Sequence, residues 1–364
     1  MSIAPGKLGQ SLLRSRAVAA LTSPHGVDRY LELVNPMWAA NEVRARVVSV
    51  EREVDVPGHP PVATITLQPA ATWRGHRAGQ HVQLGVEIHG ARRTTRVFTV
   101  SSPDSRRADR FTITLRANPD GVVSRFLVEE AGPGTMVHLS QAEGDFVLPD
   151  HVPEHILLVS GGSGITPVMS MLRSLQRRTH RGRVTFVHYS QSPDHQIFAA
   201  ELDEIRRSGH GIDIHLLHPE LGDPALSPAW LGRLVPGYRD VPTWACGPAP
   251  LIEAVQAAYD GSEELRVEYF KPPRPAASGE VAGDVSFSRS GESAPNTGAS
   301  LLEQAEALGL RPEFGCRMGI CFTCTSRKSE GTVRNVLTGE ESSLPDEDIR
   351  ICVSAPVGDC TVEL

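Results

Sequence analysis

Five of the six cysteines in this 364-residue chain fall within its last 49 residues. Three stand in one tight run, Gly315-Cys316-Arg317-Met318-Gly319-Ile320-Cys321-Phe322-Thr323-Cys324, and Cys352 follows 28 positions after Cys324. C-x4-C-x2-C with a distant fourth cysteine is the spacing that lets four thiolates hold two irons bridged by two sulfides. Gly315 and Gly319 permit turns that aim peptide N–H groups at the sulfurs and offset their negative charge. A zinc site with four cysteines is the alternative. Such sites more often pair two C-x2-4-C units, whereas this arrangement is three plus one. In a chain of this size the bunching points to metal or redox chemistry rather than a disulfide framework. Cys360 lies outside the pattern and reads as a small buried thiol of the final strand.

The run sits in an acidic segment. From Val281 to Leu364 there are 13 acidic against 7 basic residues, a net of −6 out of −7 for the whole chain. Residues 271–280, KPPRPAASGE, show neither helical nor strand periodicity and read as a linker. The segment after it resembles plant-type ferredoxins over about 80 residues. That resemblance implies a β-grasp fold and a [2Fe-2S] cluster on Cys316, Cys321, Cys324 and Cys352.

Length alone allows two or three domains. No run of about 18 apolar residues is present, so no membrane-crossing helix is expected. The N-terminus lacks the apolar core of a secretory signal, which predicts a cytoplasmic protein. An acidic balance and only 5% aromatic residues exclude a basic, base-stacking nucleic-acid binder. Within residues 41–150, short runs with period-two alternation (VRARVVSVERE, ATITLQ, HVQLGVEI, RVFTVSS, RFTITLR, MVHLS) predict an antiparallel barrel or sandwich. Within residues 151–270, apolar strands alternate with amphipathic helices, which predicts a parallel sheet with crossover helices.

Gly161-Gly162-Ser163-Gly164-Ile165-Thr166-Pro167 follows the strand ILLVS and opens a helix. Small residues there let backbone approach a pyrophosphate, and the helix start offers N–H groups and a positive dipole end. An unliganded tight turn is the alternative. The run is not a G-x-G-x-x-G fingerprint, and no acid closes the second strand to hold a ribose. Downstream stands Ala245-Cys246-Gly247-Pro248. The pair GGSGITP and CGP resembles the nucleotide domain of the ferredoxin–NADP reductase superfamily. By that resemblance Gly162, Ser163, Gly164, Ile165, Thr166 and Pro167 hold the NAD(P) pyrophosphate, with Thr166 close to the chemistry. Cys246, Gly247 and Pro248 lie near the nicotinamide.

The same superfamily carries a flavin motif, Arg-x-Tyr-Ser/Thr, and here stands Arg96-Val97-Phe98-Thr99. A guanidinium suits a cofactor phosphate and an aromatic ring suits the isoalloxazine. By resemblance the Thr99 hydroxyl faces the flavin N5 edge. Phe98 replaces the usual Tyr and forgoes its hydroxyl. Gly121-Val122-Val123-Ser124 matches the family's Gly-x-x-Ser element, and Glu143-Gly144-Asp145-Phe146 its Gly-x-Phe strand start. Phe270, in Glu268-Tyr269-Phe270, is a candidate to cover the flavin, with simple packing as the alternative.

The implied architecture is multidomain. An N-terminal arm (1–40) precedes an antiparallel β-barrel flavin domain (41–150). An α/β parallel-sheet nucleotide domain (151–270), a linker (271–280) and a β-grasp ferredoxin domain (281–364) follow. The implied enzyme is an NAD(P)H-dependent reductase using FAD, with FMN the alternative, and a [2Fe-2S] cluster. Neither NADH nor NADPH is singled out; His188, Ser190, His195 and His218 lie where a 2′-phosphate would be read, and Asp194 would oppose one. The arm's Asn35-Pro36-Met37-Trp38 resembles actinobacterial reductases that serve acyl-CoA desaturases. That implies a diiron fatty-acyl desaturase as acceptor. A Rieske oxygenase or a P450 is the alternative acceptor, and a non-catalytic redox sensor the alternative function. Packing of the arm on the flavin domain is expected, with peripheral contact to the inner membrane face as the alternative.

Overall fold

The computed structural model describes residue 18 and residues 27–88, 93–209, 211–270, 281–315, 317, 319 and 322–364. The linker, most of the N-terminal arm, and Cys316 and Cys321 lie outside the described residues. The chain divides into two compact units, Met1–Gly247 with Leu251–Glu268, and Pro248–Pro250 with Tyr269–Leu364.

The first unit begins with helix α1 (Val27–Val34) and continues into β1 (Val43–Val54), β2 (Val62–Pro69), β3 (His81–Val86), β4 (Thr94–Thr99), β5 (Phe111–Arg116) and β6 (Met136–Leu139). These six strands form an antiparallel sheet in the order β4-β3-β6-β1-β2-β5. A bridge between Val100 and Ile113 joins its two ends and closes the barrel. Alternation along β2 turns Ala63, Ile65 and Leu67 into the core, where they are wholly buried. Trp73 stacks on Phe111 with ring centroids 4.8 Å apart.

Helix α1 is tied to the start of β1. The Asp28 carboxylate accepts the N–H groups of Ala40 (2.5 Å), Asn41 (3.1 Å) and Glu42 (3.0 Å). Buried Arg44 donates to the Pro36 carbonyl and pairs with Glu32 and Glu42. A hydrogen bond from His138, with Arg44 and Arg93 nearby, holds the Glu42 carboxyl down to about 2 against the opposing effect of burial.

After α2 (Val122–Arg125) and a π-helical turn through Glu130, the same unit builds a second sheet. Strands β7 (His155–Gly161), β8 (Arg183–Tyr189), β9 (Ile212–Leu217), β10 (Thr243–Gly247) and β11 (Leu265–Tyr269) lie in the order β11-β10-β7-β8-β9, with β7 to β10 parallel. Residues 156–161 of β7 are buried without a break, as a strand covered on both faces requires. Helices α3 (Ile165–Arg177) and α4 (Ala199–Ser208) supply the first crossovers.

In the second unit, β12 (Asp284–Phe287) and β13 (Glu292–Pro295) form a hairpin, followed by α5 (Leu301–Ala307). A capping box between Ser300 and Glu303 starts that helix. Strands β14 (Thr325–Asn335), β15 (Glu341–Ser342), β16 (Glu347–Arg350) and β17 (Ser354–Val362) complete the sheet. The last strand runs parallel to the first, pairing Val285 with Cys360, and this gives the expected β-grasp. Cys360 is buried there, and burial pushes its thiol up to about 11. No helix among the described residues is long and apolar enough to cross a membrane.

Candidate functional site

The glycine-rich turn leaves β7 as a single 3-10 turn, Gly162–Gly164, and enters α3 at Ile165. Gly164 sits against the end of β10: a Cβ there would stand 2.3 Å from the Cys246 carbonyl oxygen and 2.7 Å from the Gly247 Cα. Cys246 pairs with Ser160 across the parallel β10 and β7. Gly164 and Cys246, 82 positions apart in sequence, thus meet at one backbone junction. Gly162 faces open space, with φ +53° and nothing within 4 Å of where a Cβ would stand. Thr166 is buried, and its hydroxyl donates to the Ser163 carbonyl at 3.1 Å. Ile165 and Pro167 are buried in the first turn of α3. A cradle of small residues at a helix start fits a pyrophosphate.

Cys246 is wholly buried, and burial together with the charge of Glu268 pushes its thiol well up. Glu268 is half-buried, with an Oε2 atom that is out of solvent and has no hydrogen-bond partner. Burial raises its carboxyl to about 8, so near neutrality it is chiefly protonated. Sequence draws attention to Phe270 in this run, but the strand order that lays β11 beside β10 is what makes Glu268 part of the site. Phe270 is half-buried and belongs to the second compact unit.

At the end of β8, His188 is wholly buried with Nδ1 2.8 Å from the Ser160 hydroxyl. Burial, reinforced by His218, drives its ring down to about 3. His188 is therefore a neutral core residue and carries no charge for a phosphate. Ser190 Oγ instead lies 3.0 Å from His218 Nδ1, and His195 Nδ1 2.8 Å from Ser192 Oγ. Tyr189 OH and His195 Nε2 are buried without hydrogen bonds. Orphaned polar atoms at the carboxyl end of a parallel strand suit a polar nucleotide.

In the barrel, β4 sets Arg96 opposite Leu84, Val97 opposite Gln83, Phe98 opposite Val82 and Thr99 opposite His81. Arg96 is half-buried and donates to the Thr95 carbonyl at 2.8 Å. Thr99 is buried, and Phe98 packs partly on the barrel core. Gly121 precedes α2, where a Cβ would stand 2.6 Å from Ser124 Oγ. That hydroxyl donates to the Gly121 carbonyl and accepts the Asn118 N–H. The N–H groups of Val122, Val123 and Ser124 precede the first intrahelical bond, from Arg125 to Gly121. The half-buried Arg96 guanidinium and the leading N–H groups of α2 each suit a phosphate of a flavin nucleotide.

In the second unit Cys324 and Cys352 are both buried, and the Cys324 carbonyl accepts the N–H of Ile351 at 3.3 Å. These two thiol positions are thus neighbours, while Cys316 and Cys321 fall outside the described residues. Arg317 and Phe322 take left-handed φ values of 58° and 56°, a strain that clusters at functional loops. Arg317 pairs with Glu306 and lies 3.9 Å from the Phe314 ring centroid, while Arg350 donates to the Gly319 carbonyl. Two neighbouring buried thiols, Cys324 and Cys352, suit two of the four ligands of an iron–sulfur cluster.

Three family models match: an oxidoreductase FAD-binding domain over residues 56–148, an oxidoreductase NAD-binding domain over 158–228, and a 2Fe-2S iron-sulfur cluster binding domain over 287–357. An NADPH oxidoreductase of Mycobacterium tuberculosis is 36% identical over 355 residues, 96% of this chain and 91% of that protein. A glycine betaine monooxygenase reductase subunit of Chromohalobacter salexigens is 30% identical, covering 79% of this chain and 87% of its own. The solved phthalate dioxygenase reductase shares the fold at 22% identity with a TM-score of 0.59, covering 89% of this chain and 98% of its own. The chain belongs to the ferredoxin–NADP reductase superfamily, as an oxidoreductase with FAD-binding, NAD-binding and C-terminal 2Fe-2S domains.

Proposed function

We propose that this protein takes electrons from NAD(P)H and passes them through FAD and the [2Fe-2S] cluster to an oxygen-activating partner enzyme. The observation that carries this reading is the seat of Gly164 on Cys246, which joins the pyrophosphate turn to the nicotinamide end of the site within the same compact unit as the flavin strand. FAD supplies the conversion between a two-electron hydride donor and a one-electron cluster. Gly162 to Pro167 receive the nucleotide, and Cys246, Gly247 and Pro248 border its reactive end. Arg96 and the start of α2 hold flavin phosphates, and Thr99 presents its hydroxyl to the reactive edge. Cys316, Cys321, Cys324 and Cys352 ligate the cluster. NADPH is the donor we favour: β8 is followed by Ser190, with its hydroxyl beside His218, rather than by a carboxylate, and a relative at 36% identity is an NADPH oxidoreductase.

For the acceptor, the relative named as a glycine betaine monooxygenase reductase subunit supports an oxygenase. Within that class, the arm's resemblance supports a diiron fatty-acyl desaturase. A cytoplasmic location, with the arm packed on the flavin domain and peripheral membrane contact as the alternative, belongs to that narrower reading. The test is anaerobic titration of the purified protein with NADPH and then NADH, followed by its visible spectrum. Bleaching of flavin and cluster bands with turnover on cytochrome c supports a reductase, whereas bands that stay oxidised point to a redox sensor. Oxygen-dependent turnover with a desaturase, and separately with an oxygenase, decides the acceptor.

A further inference from the structure

One face of α3 is bonded to the flavin barrel. Ser170 Oγ donates to the Ser102 carbonyl at 2.6 Å, Arg173 Nη1 to the Ser101 carbonyl at 2.6 Å, and Ser174 Oγ accepts the Asp104 N–H at 2.9 Å. Arg178 pairs with Asp104 at 2.5 Å. Positions 170, 173, 174 and 178 follow helical spacing, so a single stripe makes all four links. On the barrel side the segment is held as firmly. Ser101 is wholly buried, and its hydroxyl lies 2.8 Å from Thr112 Oγ1 and 2.9 Å from Thr114 Oγ1.

Arg173 is the most heavily constrained member. Its guanidinium forms two bonds to Glu201 on α4, at 2.8 and 2.5 Å, and lies 4.4 Å from the Phe198 ring centroid. Phe198 is buried in a left-handed conformation, φ 59° and ψ 30°, which a bulky residue rarely adopts. Fork-to-fork pairing and the ring leave the guanidinium a single orientation, aimed at Ser101. Ser101 stands two residues after Thr99, and Arg173 stands seven residues, about two helical turns, after Thr166. Of the links from α3, that of Arg173 reaches nearest the flavin strand, since Ser101 is closer to Thr99 than Ser102 or Asp104 is, and Arg173 alone among them is also braced by α4.

We propose that Arg173 is a positioning residue for hydride transfer, holding the nucleotide turn at a fixed separation from the flavin strand. The proposal rests on the reductase reading above. In the step served, one hydride, a proton with two electrons, leaves the nicotinamide, which is oxidised, and is received by the flavin, which is reduced. Arg173 touches neither ring and acts through Ser101 and the helix.

The test is anaerobic stopped-flow mixing of holoprotein with NADPH and with 4-deuterated NADPH, for native protein, Arg173→Ala and Arg173→Lys. Arg173→Ala is expected to keep its flavin and cluster absorbance and its NADPH dissociation constant. Its flavin reduction at saturating NADPH should slow on the order of 10- to 100-fold, because small misplacements of reacting groups carry that cost. Charge-transfer absorbance between nicotinamide and flavin should fall with it, the deuterium isotope effect should change, and Arg173→Lys should recover part of each. A reduction rate like the native one overturns the proposal, as does a slowing fully explained by weaker NADPH binding. If Arg173→Ala does not fold, Ser170→Ala, which removes only the hydroxyl bonded to Ser102, is held to the same criteria. Native protein that NADPH never reduces refutes the reductase reading itself, whereas a reducible native protein with an unaffected variant refutes this proposal alone.

Discussion

Gly164 approaches Cys246 so closely that a methyl group on its Cα would stand 2.3 Å from the Cys246 carbonyl oxygen. All three nearest atoms are backbone, so none can swing aside. Gly164→Ala should force β10 and the turn apart, at an overpacking cost of about 1–3 kcal/mol. NADPH binding should weaken on the order of 10- to 100-fold, while FAD content stays native. Gly209→Ala, at the end of α4 and outside the nucleotide turn, is the control: it meets nothing within 4 Å, and only its φ of +66° opposes it. That variant should lose about 1–2 kcal/mol at most. Nucleotide titration of the two variants checks the contrast.

Lys328 is wholly buried in β14, and its ammonium donates to the carbonyls of Gly331 (2.9 Å), Ser342 (3.2 Å) and Leu344 (2.6 Å). Glu347 lies 3.5 Å away. Lys328→Met strands three carbonyls and a carboxylate, at a cost of about 3–5 kcal/mol for a broken buried pair. Heating should then melt the second unit at a temperature lower by on the order of 10 °C or more. Arg334→Ala, which breaks the more exposed pair with Glu341, should cost no more than about 1 kcal/mol. Thermal melts followed by the cluster's visible circular dichroism separate the two.

Much of this was legible in the residues. The barrel strands announced themselves because each buries alternate side chains, as Ala63, Ile65 and Leu67 do, and β7 because both its faces are covered. Four of the site's elements, around Arg96, Gly121, Gly162 and Cys246, stood in short runs whose backbone needs fix their residue types. What was not legible depends on partners distant in sequence. Nothing in its own run marks Lys328, whose burial rests on carbonyls of Gly331, Ser342 and Leu344. His188 stands where a 2′-phosphate would be read until the sheet encloses it, and nothing in its own run marks Arg173, on which Ser101, Phe198 and Glu201 converge only in the fold. Strands β15 and β16, of two and four residues, are too short to show any period.

The raised Glu268 carboxyl makes stability depend on pH in a defined direction. Burial lifts it from the usual 4.5 to about 8, so between those values the folded protein binds the proton that the unfolded chain has released. Stability from this group is therefore lost as pH rises from about 4.5 to about 8 and is level above. Glu268→Gln keeps the shape and removes the titration. The variant should melt above the native protein at pH 9, with the gap closing as pH falls below 5. Parallel melts across that range check it, and a gap that does not vary with pH contradicts a buried acid.

The Asp28 carboxylate accepts three successive N–H groups, those of Ala40, Asn41 and Glu42, and so pins α1 to the first barrel strand. Asp28→Ala leaves those donors without their acceptor, a loss of about 1–3 kcal/mol where they stay buried. Arg44, which also reaches across to Pro36 and Glu32, keeps some hold, so the helix should loosen rather than detach. Limited proteolysis should then cut ahead of β1 many times faster than in native protein. Flavin reduction by NADPH should be unchanged, because the hydrogen bonds removed go to Ala40, Asn41 and Glu42, outside the nucleotide turn and β4. If the arm also engages the electron acceptor, Asp28→Ala should raise the KM for that partner while cytochrome c reduction stays native. An arm that only packs on the barrel should leave both alike.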